Sequence, residues 1–205
     1  MDARLALGAL MGIPVLYALL SWLTGVLDPL AGAGLGLLAY WAALGLALAH
    51  VADRDTLWDL LVAQSPGRLI NAALALPVLL LGATTMRLLA GIAVPPHLIL
   101  AAALAAIAHA TLEELFWRGA LLPRPSPRAA ALALGLFWAF HLAWLGAWGL
   151  ETGLGPLLLA LGPLAMGGAW TAARLETGTL GAAILGHAGL NLFLFVRVVA
   201  LDAAG

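Results

Sequence analysis

The chain has 205 residues, of which 64% are hydrophobic and 9% are charged, and its mean hydropathy is +1.06. Soluble domains carry roughly 25% charged residues, so this composition excludes an ordinary water-soluble domain and indicates a membrane protein. The net charge of −1, with no basic run, excludes nucleic acid as a partner, and the lack of cysteine excludes disulfides, thiol catalysis and cysteine-ligated metal.

Apolar runs separated by glycine, proline and charged residues predict the membrane spans. In chain order they cover residues 5–27, 30–51, 70–91, 98–122, 129–149, 154–174 and 178–200. The first run is interpreted as a span and not as a signal peptide, because it is too long and no Ala-x-Ala site follows it. The predicted fold is an all-α, polytopic transmembrane helical bundle of about seven spans, with limits of six and eight, in a single membrane domain over residues 1–205.

Arginine placement predicts the orientation of these spans. If the N-terminus lies inside, the inner ends of the spans carry Arg4, Arg54, Arg68, Arg124, Arg128 and Arg174, and the outer ends carry Arg87 and Arg197. This asymmetry follows the positive-inside rule. We therefore predict an integral membrane protein, surrounded by the lipid bilayer, with its N-terminus inside and its C-terminus outside. The short length and the composition suggest the bacterial inner membrane.

A polar stretch from residue 52 to residue 68 separates the second and third spans. Between Asp55 and Val62 it begins with a capping residue and then mixes tryptophan and leucine with aspartate. This pattern suits a short helix lying at the inner interface, and an ordered loop is the alternative.

Several tryptophans and small residues are expected to anchor the spans at the membrane interface or to let the helices pack closely. The tryptophans taken as interfacial anchors are Trp22, Trp41, Trp144 and Trp148. The small residues expected to allow close helix packing are Gly135, Gly162, Gly167, Gly168, Ala182 and Gly186.

The fourth span contains two carboxylates and a guanidinium, from Glu113, Glu114 and Arg118, inside an otherwise apolar run. A charged group in hydrocarbon costs roughly 2.5–3.5 kcal/mol on insertion scales, so it rarely lies there without a partner or a task. Counted from the inner ends of their spans, Glu113, His141 and His187 lie roughly 13–18 Å deep, close to the midplane of the bilayer. We therefore predict that three helices bring these side chains to one level.

Helical spacing predicts the local geometry of the first two groups. Glu114 and Arg118 are four residues apart with the acid first, which favours an ion pair along one helix face. Glu113 lies about 100° further round the helix and is free to face another helix. Phe137 lies one turn before His141 and is expected to pack beside its imidazole.

The third group is His187 and Asn191, which lie one turn apart on one face of the last span. Both side chains can donate hydrogen bonds to a developing oxyanion. His109 lies one turn before Glu113. It is interpreted either as a hydrogen-bond partner that tunes this carboxylate or as a packing histidine.

Three motifs carry a resemblance to a known family. They are Glu113-Glu114-x-x-x-Arg118, Phe137-x-x-x-His141 and His187-x-x-x-Asn191. They resemble the motifs of the CPBP (Abi) intramembrane proteases, which include CAAX prenyl endopeptidases and bacterial bacteriocin-processing and immunity proteins. The resemblance covers a protease core over residues 98–200, whereas the first three spans match only in being hydrophobic.

The resemblance implies an endopeptidase acting on a membrane-anchored protein or peptide, near the C-terminus of the substrate, with myxosortase-like sorting as one form of this role. The implied roles are water activation for Glu113 and His141, oxyanion stabilisation for His187 and Asn191, and support of the site for Glu114, Arg118 and Phe137. A zinc site of Glu113, His141 and His187, with an open position for water, is the alternative. We favour the metal-free mechanism, with no cofactor.

Other chemistries and roles were weighed against this one. No serine is placed for a Ser-His dyad, no aspartate lies inside a span and no His-Glu-x-x-His occurs, which excludes three other kinds of intramembrane protease. A non-catalytic immunity or scaffold protein of the same fold stays open. A proton-coupled transporter also stays open because buried acid and histidine chains relay protons, although we find no inverted repeat.

Overall fold

A computed structural model describes residues 1–51 and 54–204 of the chain. Ala52 and Asp53, in the polar stretch expected between the second and third spans, lie outside the described residues. The described part forms eight α-helices and contains no strand. The helices are α1 (Ala3–Val26), α2 (Pro29–Val51), α3 (Arg54–Leu60), α4 (Arg68–Leu89), α5 (Pro96–Glu114), α6 (Pro127–His141), α7 (Pro156–Thr177) and α8 (Gly181–Asp202).

Seven of these described helices, all except α3, are long and apolar enough to cross a membrane. They coincide with the predicted spans, so the all-α bundle of about seven spans is confirmed. Large apolar side chains point outward along them, as Val15, Leu69 and Leu157 do. Such a surface is suited to lipid, because in water these apolar side chains would be exposed to solvent at a cost in free energy.

Two spans continue beyond their α-helix in a different helical form. After Glu114, α5 continues as a π-helical segment, Leu115–Ala120, and after His141, α6 continues as a 3₁₀ segment, Leu142–Gly146. π-Helical turns are rare and occur frequently at functional sites. The sequence analysis treated residues 98–122 as one regular helix, because apolar periodicity does not distinguish these helix types.

The short helix α3 confirms the helical interpretation of the polar stretch, although it ends at Leu60 and not at Val62. The backbone oxygen of Leu60 accepts a hydrogen bond of 2.7 Å from the amide of Leu180, just before α8. The side chain of Leu57 lies beside Gly119 in the π-helical segment. Helix α3 is therefore attached to the ends of two spans, and its position relative to lipid stays a prediction.

The motif-bearing half of the bundle is organised around α8, which packs against α4, α5 and α7. Helix α1 packs against α2, and α6 packs against α7. The core where these helices meet contains the nearly fully buried rings of Trp117, Phe137 and Trp170. The same region buries Glu113 and Glu114 completely. The carboxylates therefore face the interior of the protein and not the lipid.

The predicted packing role of the small residues is confirmed at some positions and wrong at others. At Gly167, an added Cβ would lie 2.8 Å from the ring of Phe137, so only glycine leaves room there. At Gly186, the same atom would lie 3.2 Å from the side chain of Leu74. At Gly135 and Gly162, an added Cβ would meet nothing within 4 Å, so no described neighbour requires glycine.

Candidate active site

Glu113 lies among three histidines near the C-terminal end of α5. Its Oε2 atom is 3.6 Å from Nε2 of His109 and 3.6 Å from Nε2 of His187, and its Oε1 atom is 3.6 Å from Nε2 of His141. The imidazoles belong to α5, α8 and the end of α6. The structure thus brings together Glu113, His141 and His187, which the sequence placed at one depth, and adds His109 as a direct neighbour.

Glu114 is held by two side chains that carry or can carry positive charge. Its Oε1 atom accepts a hydrogen bond of 3.0 Å from Arg118 Nη1, so the predicted ion pair is confirmed. The same oxygen accepts a second bond of 2.9 Å from Nδ1 of His187. Arg118 also donates to Thr171 Oγ1 and to the backbone oxygen of Gly167, both on α7. The pair therefore links α5 to α7 and α8, which spacing within one helix could not reveal.

The hydrogen bonds fix which ring nitrogen carries the proton in two of the histidines. Nδ1 of His141 lies 2.9 Å from the backbone oxygen of Phe137, and a carbonyl oxygen only accepts, so Nδ1 is the donor. Nδ1 of His187 is likewise the donor to the carboxylate of Glu114. When neutral, both rings therefore present the lone pair of Nε2 to Glu113.

His109 has the opposite arrangement. The indole Nε1 of Trp41, which can only donate, lies 3.0 Å from Nδ1 of His109. The neutral ring must then carry its proton on Nε2, the atom that faces Glu113. The three imidazoles are therefore not equivalent, because His109 offers a proton where the other two offer lone pairs.

Aromatic rings hold the reactive side chains in place. The ring of Phe137 lies 4.1 Å from that of His141, as expected, and the guanidinium of Arg118 lies over its face at 4.1 Å. The indole of Trp170 stacks on His187, with centroids 3.7 Å apart and planes inclined by 14°. The sequence analysis assigned no role to Trp170, because its partner lies on another helix.

Asn191 lies one turn after His187 on α8 and is buried. Its Nδ2 atom is among four buried side-chain atoms without a hydrogen-bond partner in the described part of the chain: Glu113 Oε2, Glu114 Oε2, Trp170 Nε1 and Asn191 Nδ2. An unpaired buried polar atom costs about 1–3 kcal/mol, so these atoms are suited to binding a polar molecule.

The donor atoms of the site suit a zinc ion as well as a water molecule. Ligand atoms of His109, Glu113 and His187 all lie within 4.8 Å of one another. This set contains His109 in place of His141, which the sequence predicted as the third ligand. Hydrogen bonding favours the original set, because Nε2 of His141 offers a lone pair and that of His109 carries a proton. Ligands of a tetrahedral zinc lie roughly 3.3 Å apart, and Nε2 of His141 and of His187 each lies 3.6 Å from an oxygen of Glu113.

The sequence analysis missed Tyr40 on α2. Its hydroxyl donates a hydrogen bond of 2.6 Å to Oε1 of Glu113 and accepts one of 3.1 Å from the indole of Trp117. Depth is the signal that could have revealed it. Tyr40 lies ten residues into the predicted second span, roughly 15 Å deep, which is the level predicted for Glu113.

The interpretation of Trp41 as an interfacial anchor is wrong. This residue lies in the middle of α2, is half-buried and donates its indole proton to His109. Trp22 and Trp148, in contrast, have exposed side chains, as an anchor in the headgroup region requires.

Comparison with known families adds an independent finding. Residues 95–193 match the family model described as type II CAAX prenyl endopeptidase Rce1-like. The matched range contains every motif residue from Glu113 to Asn191 and leaves out α1 to α4, so the resemblance seen in the three motifs is confirmed. No curated protein and no solved structure matches the chain.

Proposed function

We propose that this chain, whose residues 95–193 belong to the Rce1-like family of CAAX-type proteases, is an intramembrane endopeptidase that acts through an activated water. The family is one of proteases, which supports peptidase activity in general. The observation that carries the finer proposal is the buried carboxylate of Glu113, surrounded by imidazoles from three helices of an apolar bundle. Its substrate is a membrane-tethered protein or peptide, cut near its C-terminus.

Glu113 and His141 activate the water in this proposal. A water held between Glu113 and Nε2 of His141 gives up a proton to the carboxylate of Glu113, the general base, as its oxygen attacks the carbonyl carbon of the substrate. The neutral His141 is suited to proton transfer because Nε2 holds a lone pair while Nδ1 is tied to a backbone oxygen. The proton then moves to the leaving amine when the carbon–nitrogen bond breaks, and a new carboxylate remains on the substrate.

His187 and Asn191 stabilise the oxyanion that forms during the attack. The amide Nδ2 of Asn191 is a buried donor with no partner in the described structure, and it is therefore free to bind the substrate oxygen. His187 can donate from Nε2 when both of its nitrogens are protonated. Glu114, which also accepts from Arg118, then pairs with the protonated His187 through Nδ1.

A zinc ion is the alternative source of the activated water. Glu113, His141 and His187 would hold it, and the metal would supply a Lewis acid that polarises the water and the carbonyl. The roles of the other residues would be unchanged, since Glu114 would still orient His187 through Nδ1.

The membrane context completes the proposal. The arginine asymmetry supports an N-terminus inside and a C-terminus outside in a bacterial inner membrane, with the reactive groups near the midplane. A water-poor site at that depth suits a substrate that arrives from the bilayer. Removal of a C-terminal membrane anchor, as in myxosortase-like sorting, is one form of this activity.

The test is cleavage of a library of peptides with apolar C-terminal segments by the purified protein, with and without a chelator. Glu113→Gln and His141→Ala should abolish cleavage, whereas His97→Ala, at an exposed histidine outside the site, should not. Cleavage by the wild type that survives chelation supports the metal-free route, and its loss supports zinc. Normal cleavage by Glu113→Gln would refute the proposal. Ion-coupled uptake by the reconstituted protein, without cleavage, would favour a transporter.

A further inference from the structure

We propose that Tyr40 is a positioning residue for Glu113, holding Oε1 so that the carboxylate keeps the orientation in which it faces His141 and the reacting water. This inference rests on the proposed function, in which Glu113 is the general base. Tyr40 belongs to α2, which lies outside the residues that match the family. Its hydroxyl approaches Glu113 Oε1 to 2.6 Å, a length typical of a strong bond between a hydroxyl and a carboxylate.

The direction of the hydrogen bonds follows from the chemistry of the three groups. The indole of Trp117 can only donate, so the hydroxyl oxygen of Tyr40 accepts from it at 3.1 Å. An ionised carboxylate can only accept, so the single proton of the hydroxyl points to Glu113. With Glu113 ionised, the result is a directed chain of hydrogen bonds from Trp117 through Tyr40 to Glu113.

The ring of Tyr40 is held on several sides. It stacks on Phe140 at 5.2 Å and meets the edge of Trp144 at 6.3 Å. The imidazole of His109 lies 6.1 Å from it on another side. The side chain is only 4% exposed, so its hydroxyl is presented to Glu113 from a fixed position.

The carboxylate needs such a restraint because its last torsion is soft. The terminal torsion of glutamate has a broad, roughly two-fold profile, so packing alone holds the carboxylate plane weakly. Tyr40 holds Oε1, and Oε2 remains on the side of His109 and His187. Without the hydroxyl, the carboxylate can rotate away from the geometry in which it accepts a proton from water.

The kinetic test compares the two tyrosines of the chain, using the peptide that the wild type cleaves fastest in the library. Tyr40→Phe should lower kcat about 10- to 100-fold, the effect expected for losing a hydrogen bond to a charged group, with KM unchanged. The melting temperature should fall modestly, because the buried indole of Trp117 loses its acceptor. Tyr17→Phe is the matched control, because Tyr17 lies exposed on α1, and it should behave as the wild type.

A spectroscopic test does not depend on cleavage. Infrared difference spectra between the wild type and Glu113→Gln isolate the carboxylate band of Glu113. This band should shift in Tyr40→Phe and stay in place in Tyr17→Phe. Trp117→Phe, which removes the first donor of the chain, should shift it in the same direction by a smaller amount.

The outcomes separate this inference from the proposed function. If Glu113→Gln abolishes cleavage and Tyr40→Phe leaves kcat and the carboxylate band unchanged, the role of Tyr40 is refuted while the protease stands. A fall in kcat that comes with a lower melting temperature and an unshifted band would show that Tyr40 only packs, and would also overturn the inference. If Glu113→Gln cleaves normally, the proposed function itself fails.

Discussion

The two halves of this bundle contribute different kinds of side chain to one site. Helices α5 to α8 supply the carboxylates of Glu113 and Glu114, the guanidinium of Arg118 and all three imidazoles. Helix α2 supplies neutral aromatic donors, the hydroxyl of Tyr40 and the indole of Trp41. Neutral donors that orient Glu113 and His109 therefore come from a part of the chain separate from the motifs.

This division has a physical basis. A charged group within a membrane span is costly and therefore stands out in the sequence, whereas a tyrosine or tryptophan in a span is ordinary. A neutral donor is sufficient for orienting a carboxylate, since it forms a strong hydrogen bond without the desolvation cost of a second charge. Motifs consequently mark the charged groups and leave the neutral donors of α2 unmarked.

The largest difference between the halves should come from their ion pairs. Arg118→Met leaves Glu114 buried without its guanidinium partner and should lower the free energy of unfolding by about 3–5 kcal/mol. Arg4→Met breaks the Arg4–Asp2 pair on α1, where the arginine side chain is 77% exposed, and should cost about 1 kcal/mol or less. Unfolding by detergent titration measures the change in the free energy of unfolding for both variants. Equal losses would show that the buried Arg118–Glu114 pair stabilises the protein no more than the exposed pair does.

An intermediate effect is expected from two glycines of α7. Gly167→Ala pushes a methyl group against Phe137, whose ring contacts His141 and Arg118, and should cost about 1–3 kcal/mol and lower kcat. In Gly162→Ala the added methyl group meets no described neighbour. The free energy of unfolding should rise by about 0.5–1 kcal/mol, because alanine has the better helix propensity. Parallel melting curves and cleavage rates distinguish the two, and a harmless Gly167→Ala would show that Phe137 can move freely.

The smallest effect is expected from the neutral support in the N-terminal half. Trp41→Phe keeps an aromatic ring but removes the donor to His109, so this imidazole is free to turn or to move its proton to Nδ1. The loss of a neutral hydrogen bond is worth about 1 kcal/mol, and kcat should fall about fivefold. Trp22→Phe, at an exposed tryptophan of α1, is the control. If both variants have the same kcat, His109 needs no orientation from α2.

The spans and the reactive groups could be predicted because each leaves a pattern within one helix. Apolar length gave the seven spans, and depth brought Glu113, His141 and His187 to one level, where the structure has them in contact. The pair Glu114–Arg118 followed from a spacing of four residues.

Contacts between helices could not be predicted in this way. The bond from His187 to Glu114, the stacking of Trp170 on His187 and the roles of Tyr40 and Trp41 all depend on how separate helices are placed side by side. Gly162 and Gly167 also look alike in the sequence, and only the neighbouring helix decides which of them must be small.

The hydrogen bonds from α2 indicate which fragments of this protein would keep the site intact. The family match starts at residue 95, which suggests a self-contained module beyond that point. A fragment cut there would lose the hydroxyl on Glu113 Oε1 and the indole on His109 Nδ1, and both atoms would then face hydrocarbon. Truncation at the family boundary would thus divide the candidate site itself, even though it leaves every motif residue in place.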